Sequence, residues 1–548
     1  MVRTNPVSRN ALRMRAFLGQ WPPTAWLIGG EEAAASHTAR QGLLASLMIM
    51  VGSWGVGWLA MTPQSLLALN PVLLPLRTTT TGVVVCTVLL VLGALLLLRS
   101  WLRLSQRVGS WSARVTPVMR RTLIMWATPL MFSLPIFSRD VYSYLAQGRV
   151  LHAGLNPYED GVSELPGWFM EGADGLWAES PSPYGPLFLV LAQIIWFISG
   201  GVPEIAILLF RCLSLLGMAL MLYCVPRLAR AFGSEPSWAL WLCLLNPMTL
   251  LVFVSAGHND ALMIGLMLAG TLAALRRRRA LGILLLVAAI AVKPIAMVVL
   301  PFILLLPLKD TSALWRRMRE WVIGGAAAAV LLVSGGAALG IGLGWISAAL
   351  GAGAAVLQAA PVGLLGIGLG AAIGVLSGVD ASLVTEVVYA LARLAAGVVL
   401  AVLLLRRNVG NPVLWAAYGL TIVVLTSSII QPWYLLWLLP FYAVVHVYRG
   451  RILVLVTTVI TVMVLLSMVG QLSVAQWIDA AVIHTIAIAV VTVYLIYVVF
   501  LDPNTTEFFD MRRRSQRWNA GSGWQRLREL TPPRTPWAAE DIYEKDTR

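Results

Sequence analysis

Long apolar runs recur along almost the whole chain, and they constrain its fold more than any other feature. Of the 548 residues, 59% are hydrophobic and only 12% are charged, whereas soluble domains are about half apolar and about a quarter charged. A single soluble core stops growing near about 250–300 residues, so this apolar excess must face lipid or other apolar helices. The sequence therefore predicts an all-α polytopic membrane protein.

Fourteen apolar runs are long enough to cross a bilayer as helices, with an uncertainty of about two, which gives a range of 12–16. The predicted spans are 43–61, 82–98, 122–137, 205–225, 238–256, 261–275, 280–292, 295–307, 322–345, 383–405, 412–430, 435–448, 452–469 and 480–501. The short run 186–199 is predicted to be interfacial or re-entrant, because a full span there would move two arginine clusters to the wrong side. Residues 346–382 could hold a re-entrant segment or a further pair of spans.

The arginines fix the predicted orientation. The segment between the second and third runs contains six arginines and no acidic residue, as is typical of a cytoplasmic loop; they are Arg99, Arg103, Arg107, Arg114, Arg120 and Arg121. The net charge of +15 then reflects topology and anionic lipid, and nucleic acid is not an expected partner. The chain is predicted to comprise a cytoplasmic segment (1–42), a transmembrane catalytic domain (43–501) and a basic cytoplasmic tail (502–548).

Residues 138–185 form the longest polar segment before the tail and are predicted to face away from the cytoplasm. Apolar residues recur after Asp140 between aromatic and polar ones, a pattern that predicts a juxtamembrane helix lying along the interface. The aromatic residues of this loop could line a sugar site; they are Tyr142, Tyr144, Tyr158 and Trp168.

Polar side chains gather at the predicted outer ends of five apolar segments. Ionisable groups near hydrocarbon are costly, so this convergence predicts a functional site. The residues are Arg139, Asp140, His258, Asn259, Asp260, Lys293, Gln431, Trp433 and Tyr434. Arg211 lies inside the 205–225 span, where a guanidinium needs an anionic partner.

Each of these residues also has a purely structural interpretation. Asp140 could serve simply as a helix N-cap, and His258–Asp260 could form a tight turn. Lys293 could extend its ammonium group into the headgroup region. Gln431–Tyr434 could anchor a helix at the interface. The sequence contains no Gly-rich phosphate loop, Walker lysine or paired Cys/His metal motif, so nucleotide hydrolysis and zinc chemistry are disfavoured.

Several motifs together resemble one enzyme superfamily. The segment FSRDVYSYLAQGR at 137–149, with NPY at 156–158 and PYGPL at 183–187, is similar to the first large outer loop of lipid-phosphosugar-dependent glycosyltransferases of the C superfamily. GHND at 257–260 and QPWY at 431–434 also resemble it, as does VKP at 292–294. The similarity covers about residues 40–500 and is greatest to actinobacterial α-1,6-mannopyranosyltransferases of the lipomannan and lipoarabinomannan pathway.

This resemblance implies a bundle of the superfamily's type in the plasma membrane, with its site on the extracytoplasmic side. It implies a polyprenyl-phosphate-mannose donor, a lipid-anchored mannan acceptor, and Asp140 as the general base of an inverting transfer to O6. The implied donor-phosphate ligands are Arg149, Arg211, Lys293 and His258. The implied sugar and acceptor ligands are Arg139, Tyr142, Tyr184, Asn259, Asp260, Gln431, Trp433 and Tyr434. No cofactor or metal is predicted, although Asp140 with Asp260 could ligate a divalent ion.

Two alternatives stay open from the sequence alone. A transporter or flippase for a lipid-linked sugar would also have many spans, but it is disfavoured because the sequence has no evident internal repeat and its polar residues gather at one face. An arabinofuranosyltransferase that uses polyprenyl-phosphate-arabinose would carry the same motifs. The residues do not distinguish the two donor sugars.

The predicted orientation can be tested by thiol labelling. In a cysteine-free background, Asp140→Cys should react with a membrane-impermeant maleimide in intact cells, because residue 140 is predicted to lie outside. Arg114→Cys should react only after permeabilisation. Labelling of residue 140 that also requires permeabilisation would contradict the orientation.

Overall fold

The regular secondary structure of this protein is helical. A computed structural model describes residues 35–108, 111–309, 311–346, 360–448, 450–472 and 480–502, with Thr505 and six residues between 16 and 25. Within these residues there is no strand, so the all-α prediction is confirmed. Five described helices are long and apolar enough to cross a membrane, or six if one bent pair is counted as a span. They are Thr80–Arg107, Pro203–Phe232, Leu314–Ala338, Ala381–Leu404 and Arg451–Gln471. The count of fourteen stays a prediction.

The helices are numbered here in chain order. They are α1 (Ala35–Val56), α2 (Leu73–Thr78), α3 (Thr80–Arg107), α4 (Thr116–Leu130), α5 (Asp140–His152), α6 (Pro186–Ser199), α7 (Pro203–Phe232), α8 (Pro236–Cys243), α9 (Pro247–Thr249), α10 (Asp260–Leu275), α11 (Arg279–Val292), α12 (Leu300–Ile303), α13 (Leu314–Ala338), α14 (Pro361–Ser377), α15 (Ala381–Leu404), α16 (Pro412–Thr426), α17 (Tyr434–Val445), α18 (Gly450–Leu472) and α19 (Ala480–Ile496). Short 3₁₀ helices are Ala113–Val115, Val162–Glu164, Gly175–Trp177 and Pro294–Val298, and π-helical segments are Leu250–Ser255 and Tyr497–Leu501.

The chain divides into two compact units. Helices α1–α4, α8, α9, α18 and α19 belong to the first unit, and α5–α7 with α10–α17 belong to the second. In the first unit α1 packs along α3, and Gly52 allows this approach because a Cβ there would collide with the backbone of Leu90 and Cys86. In the second unit the main helix pairs are α10 with α11, α5 with α6, and α14 with α15.

Helix α3 contains three of the arginines that the sequence placed in a cytoplasmic loop. Arg99 and Arg103 are buried within it, and Arg107 is its last residue. Arg99 donates from Nε to Asp502 Oδ2 at 2.8 Å, and Arg103 donates from Nη1 to Gln41 Oε1 at 2.9 Å. Buried guanidinium groups are tolerated when they have such acceptors. The hydropathy pattern therefore ended this helix too early.

Prolines interrupt two of the predicted spans. The predicted span 238–256 is instead α8 followed by a second segment, Pro247–Ser255, at a bend of 53°. The second segment is capped by Asn246, whose Oδ1 accepts the Thr249 N–H at 2.8 Å. The predicted span 295–307 is a 3₁₀ helix followed by the four-residue α12. Because proline lacks an N–H and clashes with the preceding turn, continuous helices were not possible there.

The predicted helix after Asp140 is present as α5, but the protein buries most of its side chains. Gly148 of α5 lies against the backbone of Ala192 in α6. With 14 residues, α6 is about 21 Å long, which is shorter than the hydrocarbon thickness of about 30 Å. The positions of α5 and of the 186–199 segment relative to a membrane stay predictions.

Some sequence predictions fall largely outside the described residues. The N-terminal segment 1–42 is described mainly from Ala35 onward, where α1 begins, and the tail 502–548 only at Asp502 and Thr505. In the region 346–382 the structure describes α14, while residues 347–359 lie outside the described part. The predicted domain boundaries and the cytoplasmic location of both ends therefore stay predictions.

Helices α7 and α10 meet at backbone contact because both carry glycine at the crossing. A Cβ on Gly217 would collide with the backbone of Ala261 and Leu262, and a Cβ on Gly265 would lie 2.5 Å from the Gly217 carbonyl oxygen. Interiors packed this tightly do not accept even one extra carbon without displacement. The contact fixes the first turn of α10, and Asp260 is its first residue.

Gly217→Ala should destabilise the protein by about 1–3 kcal/mol, because the added methyl group overpacks this crossing. Thermal unfolding of the detergent-purified protein measures the effect. Gly397→Ala in α15 is the matched control, since a Cβ there meets open space and alanine is the better helix former. Equal unfolding temperatures for the two variants would contradict the proposed backbone contact.

Candidate active site

Three charged or titratable side chains of the second unit, those of Asp140, His258 and Lys293, lie around the fully buried Asp260. Its Oδ1 accepts hydrogen bonds from Lys293 Nζ at 2.8 Å and from Trp437 Nε1 at 2.6 Å. Its Oδ2 lies 3.3 Å from Nδ1 of His258, and the same nitrogen lies 3.8 Å from Oδ2 of Asp140. The structure thus brings Asp140, His258, Asp260 and Lys293 into one cluster, as the sequence predicted.

Local backbone chemistry places these side chains. Asp140 and Asp260 are the first residues of α5 and α10, where a carboxylate is favoured by the N-terminal N–H groups and the helix dipole. Lys293 follows the end of α11 in an extended conformation with φ −146° and ψ 117°. Pro294 explains this conformation, because the residue before a proline is disfavoured in the helical region.

The two carboxylates of the cluster have different environments. The Asp140 side chain is 21% exposed, whereas those of His258 and Asp260 are fully buried. Because His258 Nδ1 lies between two carboxylate oxygens, we assign its proton to Nδ1. The other ring nitrogen, Nε2, is buried without a hydrogen-bond partner among the described residues.

Aromatic side chains surround the charged groups. The rings of Trp433 and His258 lie 4.4 Å apart, and Tyr434 stacks on Trp437 at 4.0 Å. Lys293 Nζ lies 5.2 Å from the Trp437 ring centroid and 5.7 Å from that of Tyr184. Such faces stabilise a cation, and their low polarity strengthens its ion pair with the carboxylate.

The residue that precedes Asp260 extends the cluster. Asn259 Oδ1 accepts a long hydrogen bond of 3.5 Å from the Tyr144 hydroxyl, and its buried Nδ2 has no hydrogen-bond partner among the described residues. Tyr144 is itself buried and meets Tyr184 and Phe188 edge to face. Two side-chain nitrogens of this cluster, Asn259 Nδ2 and His258 Nε2, are therefore buried with their hydrogen-bonding capacity unused by described residues.

Sequence reasoning missed Trp437. It lies four residues after Trp433 and three after Tyr434, a spacing that puts aromatic side chains on one face of a helix. The spacing was visible in the sequence. The sequence did not show that the Trp437 indole N–H donates a hydrogen bond to Asp260.

The structure does not place Arg149 among the phosphate ligands predicted from the sequence. Its guanidinium forms an ion pair with Glu171, at Nη1 to Oε1 2.5 Å, and donates to the Pro166 carbonyl at 3.0 Å. Arg149 therefore links α5 to the loop 153–185 that follows it. Arg139 belongs to the first unit, where its guanidinium lies 4.6 Å from the Trp58 ring centroid.

The other predicted ligands lie elsewhere in the second unit. Arg211 is buried in α7 within electrostatic range of the Tyr142 hydroxyl, and the Tyr142 ring packs on Gly172. Gln431 lies in the turn before α17, where its carbonyl accepts the Tyr434 N–H. The roles predicted for Arg211, Tyr142 and Gln431 stay predictions.

A divalent ion between Asp140 and Asp260 would compete with the side chains that already contact Asp260, and the expectation that the protein needs no metal or cofactor stays a prediction. Both Asp260 oxygens are engaged, by Lys293 and Trp437 on one side and by His258 on the other. In the part of the chain that the structure describes, no group of three or more His, Cys, Asp or Glu side chains is arranged to hold a metal ion.

Comparison with known proteins identifies the family. The family model "Alpha-(1->6)-mannopyranosyltransferase, N-terminal domain" matches residues 39–309, and the model "MptB C-terminal domain" matches residues 362–498. The Alpha-(1->6)-mannopyranosyltransferase A of Mycobacterium tuberculosis is 34% identical over 371 residues, which cover 65% of this chain and 70% of the relative. The chain belongs to the α-(1→6)-mannopyranosyltransferase family.

Two further relatives agree with this assignment. A probable alpha-(1->6)-mannopyranosyltransferase of Mycolicibacterium smegmatis is 30% identical over 72% of this chain and 76% of its own length. The Alpha-(1->6)-mannopyranosyltransferase A of Corynebacterium glutamicum is 29% identical over 62% and 75%, respectively. No solved structure matches the chain. As a member of this mannosyltransferase family the protein is a glycosyltransferase, which confirms the predicted enzyme class over a transporter.

The Arg149–Glu171 pair links the stability of the loop 153–185 in this mannosyltransferase to pH. Burial raises the pKa of Glu171, and the opposing effect of Arg149 does not fully offset it. A carboxyl with a raised folded-state pKa stabilises the fold below its ordinary pKa, and that contribution is lost as the pH rises through the folded-state pKa. At neutral pH the charged Glu171 therefore depends on Arg149.

Arg149→Met should loosen the loop at pH 7 by about 1–3 kcal/mol, because it leaves a half-buried carboxylate without its cation. Glu171→Gln should stay close to the wild type, because it removes the half-buried carboxylate that needs the cation. Hydrogen exchange of residues 153–185 measures both variants, and the difference between them should shrink near pH 4. Faster exchange in Glu171→Gln than in Arg149→Met would contradict this assignment of the pair.

Proposed function

We propose that this protein transfers mannose from polyprenyl-phosphate-mannose to the O6 hydroxyl of a growing, lipid-anchored α-1,6-mannan, with Asp140 as the general base. Family membership supports mannosyl transfer. The observation that carries the proposal is the contrast between two carboxylates: Asp140 is partly exposed, whereas Asp260 is buried with both oxygens engaged. Only the exposed carboxylate of this pair can reach a substrate hydroxyl.

The reaction is a single displacement. The Asp140 carboxylate takes the O6 proton as O6 attacks the anomeric carbon, and the bond from that carbon to the phosphate oxygen breaks. Its electron pair leaves with the polyprenyl phosphate. A β-linked donor then gives an α-linked product, and one base suffices because no covalent sugar–enzyme intermediate forms.

Lys293 is the cation of the cluster and the best supported of the predicted phosphate ligands. Its side chain is 13% exposed, so its ammonium group can share a developing negative charge while it stays paired to Asp260. Buried polar atoms with unused capacity call for a partner. We propose that Asn259 Nδ2 donates a hydrogen bond to the sugar and that His258 Nε2 contacts the bound substrate.

The partner chemistry sets the location. A polyprenyl-linked donor and a lipid-anchored acceptor both reside in the plasma membrane, and we place the site on its extracytoplasmic side. Exposed arginines support this orientation, because Arg114, Arg120 and Arg121 stay exposed while Arg99 and Arg103 are buried.

Asp140→Asn should lower transfer of mannose by about 10²–10⁴-fold, because the amide cannot accept the O6 proton. Membranes containing equal amounts of wild type or variant are incubated with radiolabelled polyprenyl-phosphate-mannose and a synthetic α-1,6-linked mannoside. The product linkage and anomeric configuration are assigned by NMR.

Glu164→Gln is the matched control, since Glu164 is an exposed acid of the same loop and should leave the rate unchanged. Full activity of Asp140→Asn would remove the proposed base. A β-linked product would remove the proposed inversion.

A further inference from the structure

Asp260 holds three side chains from separate parts of the second unit. Lys293 follows α11, Trp437 lies on α17, and His258 lies in the turn before α10. The first two donate to Oδ1 at 2.8 and 2.6 Å, and the third lies 3.3 Å from Oδ2. Through this one carboxylate, elements up to 177 residues apart in sequence are joined.

A direct contact between Asp260 and the sugar does not fit these observations. The side chain has no exposed surface, and each oxygen already faces a donor. A sugar hydroxyl would have to displace Lys293, Trp437 or His258 from a buried carboxylate, and stripping a buried charge of its partners is strongly unfavourable. The role that the sequence suggested for Asp260, that of a sugar ligand, therefore gives way to one exerted through its neighbours.

We propose that Asp260 is a positioning residue for the transfer reaction, which acts on Asp140 through His258 and on the donor phosphate through Lys293. This inference rests on the proposed function. On the Oδ2 side, Asp260 holds the proton of His258 on Nδ1, the nitrogen that lies 3.8 Å from Asp140. An imidazole fixed in this way keeps its Nδ1–H beside the Asp140 carboxylate and orients that carboxylate, as an ordering partner does for a catalytic group.

On the Oδ1 side, Asp260 holds the Lys293 ammonium group in place at 2.8 Å. The ammonium group lies against the Tyr184 and Trp437 rings, an environment in which an unpaired cation is disfavoured. With Asp260 beside it, the cation is retained where the leaving phosphate gains charge. One carboxylate thus positions both the group that accepts the proton and the group that stabilises the leaving anion.

The experiment measures steady-state kinetics of purified Asp260→Asn with polyprenyl-phosphate-mannose and a synthetic α-1,6-linked mannoside. The amide keeps the shape but not the charge. We expect kcat to fall about 10–100-fold, as on loss of other partners that orient a functional group, and the donor KM to rise while the acceptor KM changes little. A purely structural role would lower the amount of folded enzyme without changing these constants.

A double-mutant cycle tests whether the effect passes through His258. If Asp260 acts on Asp140 through His258, then His258→Gln combined with Asp260→Asn should lower kcat no further than the more severe single variant, because residues that act as a unit are not additive. Losses that multiply in the double variant would overturn the coupling.

Glu320→Gln is the matched control. Glu320 is a buried carboxylate of the same unit and is paired with Arg279 at 2.8 Å, yet it takes no part in the cluster. Its replacement should leave kcat and both KM values unchanged. A folded Asp260→Asn enzyme with wild-type constants would also overturn the proposal.

A second variant covers the case in which Asp260→Asn does not fold. Asp260→Asn with Lys293→Gln removes both charges and leaves no unpaired ion, and Lys293→Gln alone is its reference. The proposal expects the double variant to have the lower kcat, because His258 has lost its partner, and equal values would contradict it. The parallel Asp140→Asn assay separates the two proposals: an inactive Asp140→Asn beside an unaffected Asp260→Asn leaves the general base standing and removes only the positioning role.

Discussion

A carboxylate with no exposed surface must be compensated by its neighbours, and the compensation of Asp260 organises the second unit. Removing one partner from a buried ion pair costs about 3–5 kcal/mol, so the side chains that meet Asp260 are held at their distances by a large free energy. Both Lys293 and Trp437 lie near prolines, which disrupt regular helices. Lys293 directly precedes Pro294, and Trp437 lies on α17, which contains Pro440. The buried charge supplies the fixed point that a continuous helix would normally provide.

The same constraint separates the roles of the two aspartates. Both begin a helix, so the sequence context does not distinguish them. Their surroundings do: Asp260 is enclosed by a cation, an indole and an imidazole, while Asp140 keeps a fifth of its side-chain surface accessible. In the proposed mechanism these different environments let two similar acids take different roles, with Asp140 as the reactive group and Asp260 as the positioning group. His258 connects them, since one ring nitrogen faces both carboxylates.

The sequence predicted features that depend on hydropathy and on the ends of apolar runs. The all-α class follows from the apolar excess, and the convergence of Asp140, His258, Asp260 and Lys293 follows from the argument that polar groups gather where helices leave the lipid. It could not predict features that depend on a distant partner. From the sequence, Arg99 is predicted to lie in a loop. In the structure it is buried in a helix and donates a hydrogen bond to Asp502, which is 403 residues away.

Local sequence also gave no indication that Arg149 forms an ion pair with Glu171. Both are charged residues of one loop region, and only the fold shows that they meet. Hydropathy likewise does not register broken helices, because the apolar run 238–256 continues through the 53° bend that Pro247 permits. Sequence reasoning was therefore most successful for which residues converge and least successful for which of them pair.

The two regions that match separate family models are joined physically within each unit. In the second unit, Asp260 of the region 39–309 accepts the indole N–H of Trp437 from the region 362–498. In the first unit, Gln471 of the later region accepts the Phe137 N–H at 2.8 Å and donates to the Val56 carbonyl at 2.6 Å. Phe137 has a φ of +67°, a conformation that costs about 1–3 kcal/mol and persists only where neighbours impose it. Because the Asp260–Trp437 hydrogen bond needs one residue from each matched region, the candidate site requires both regions.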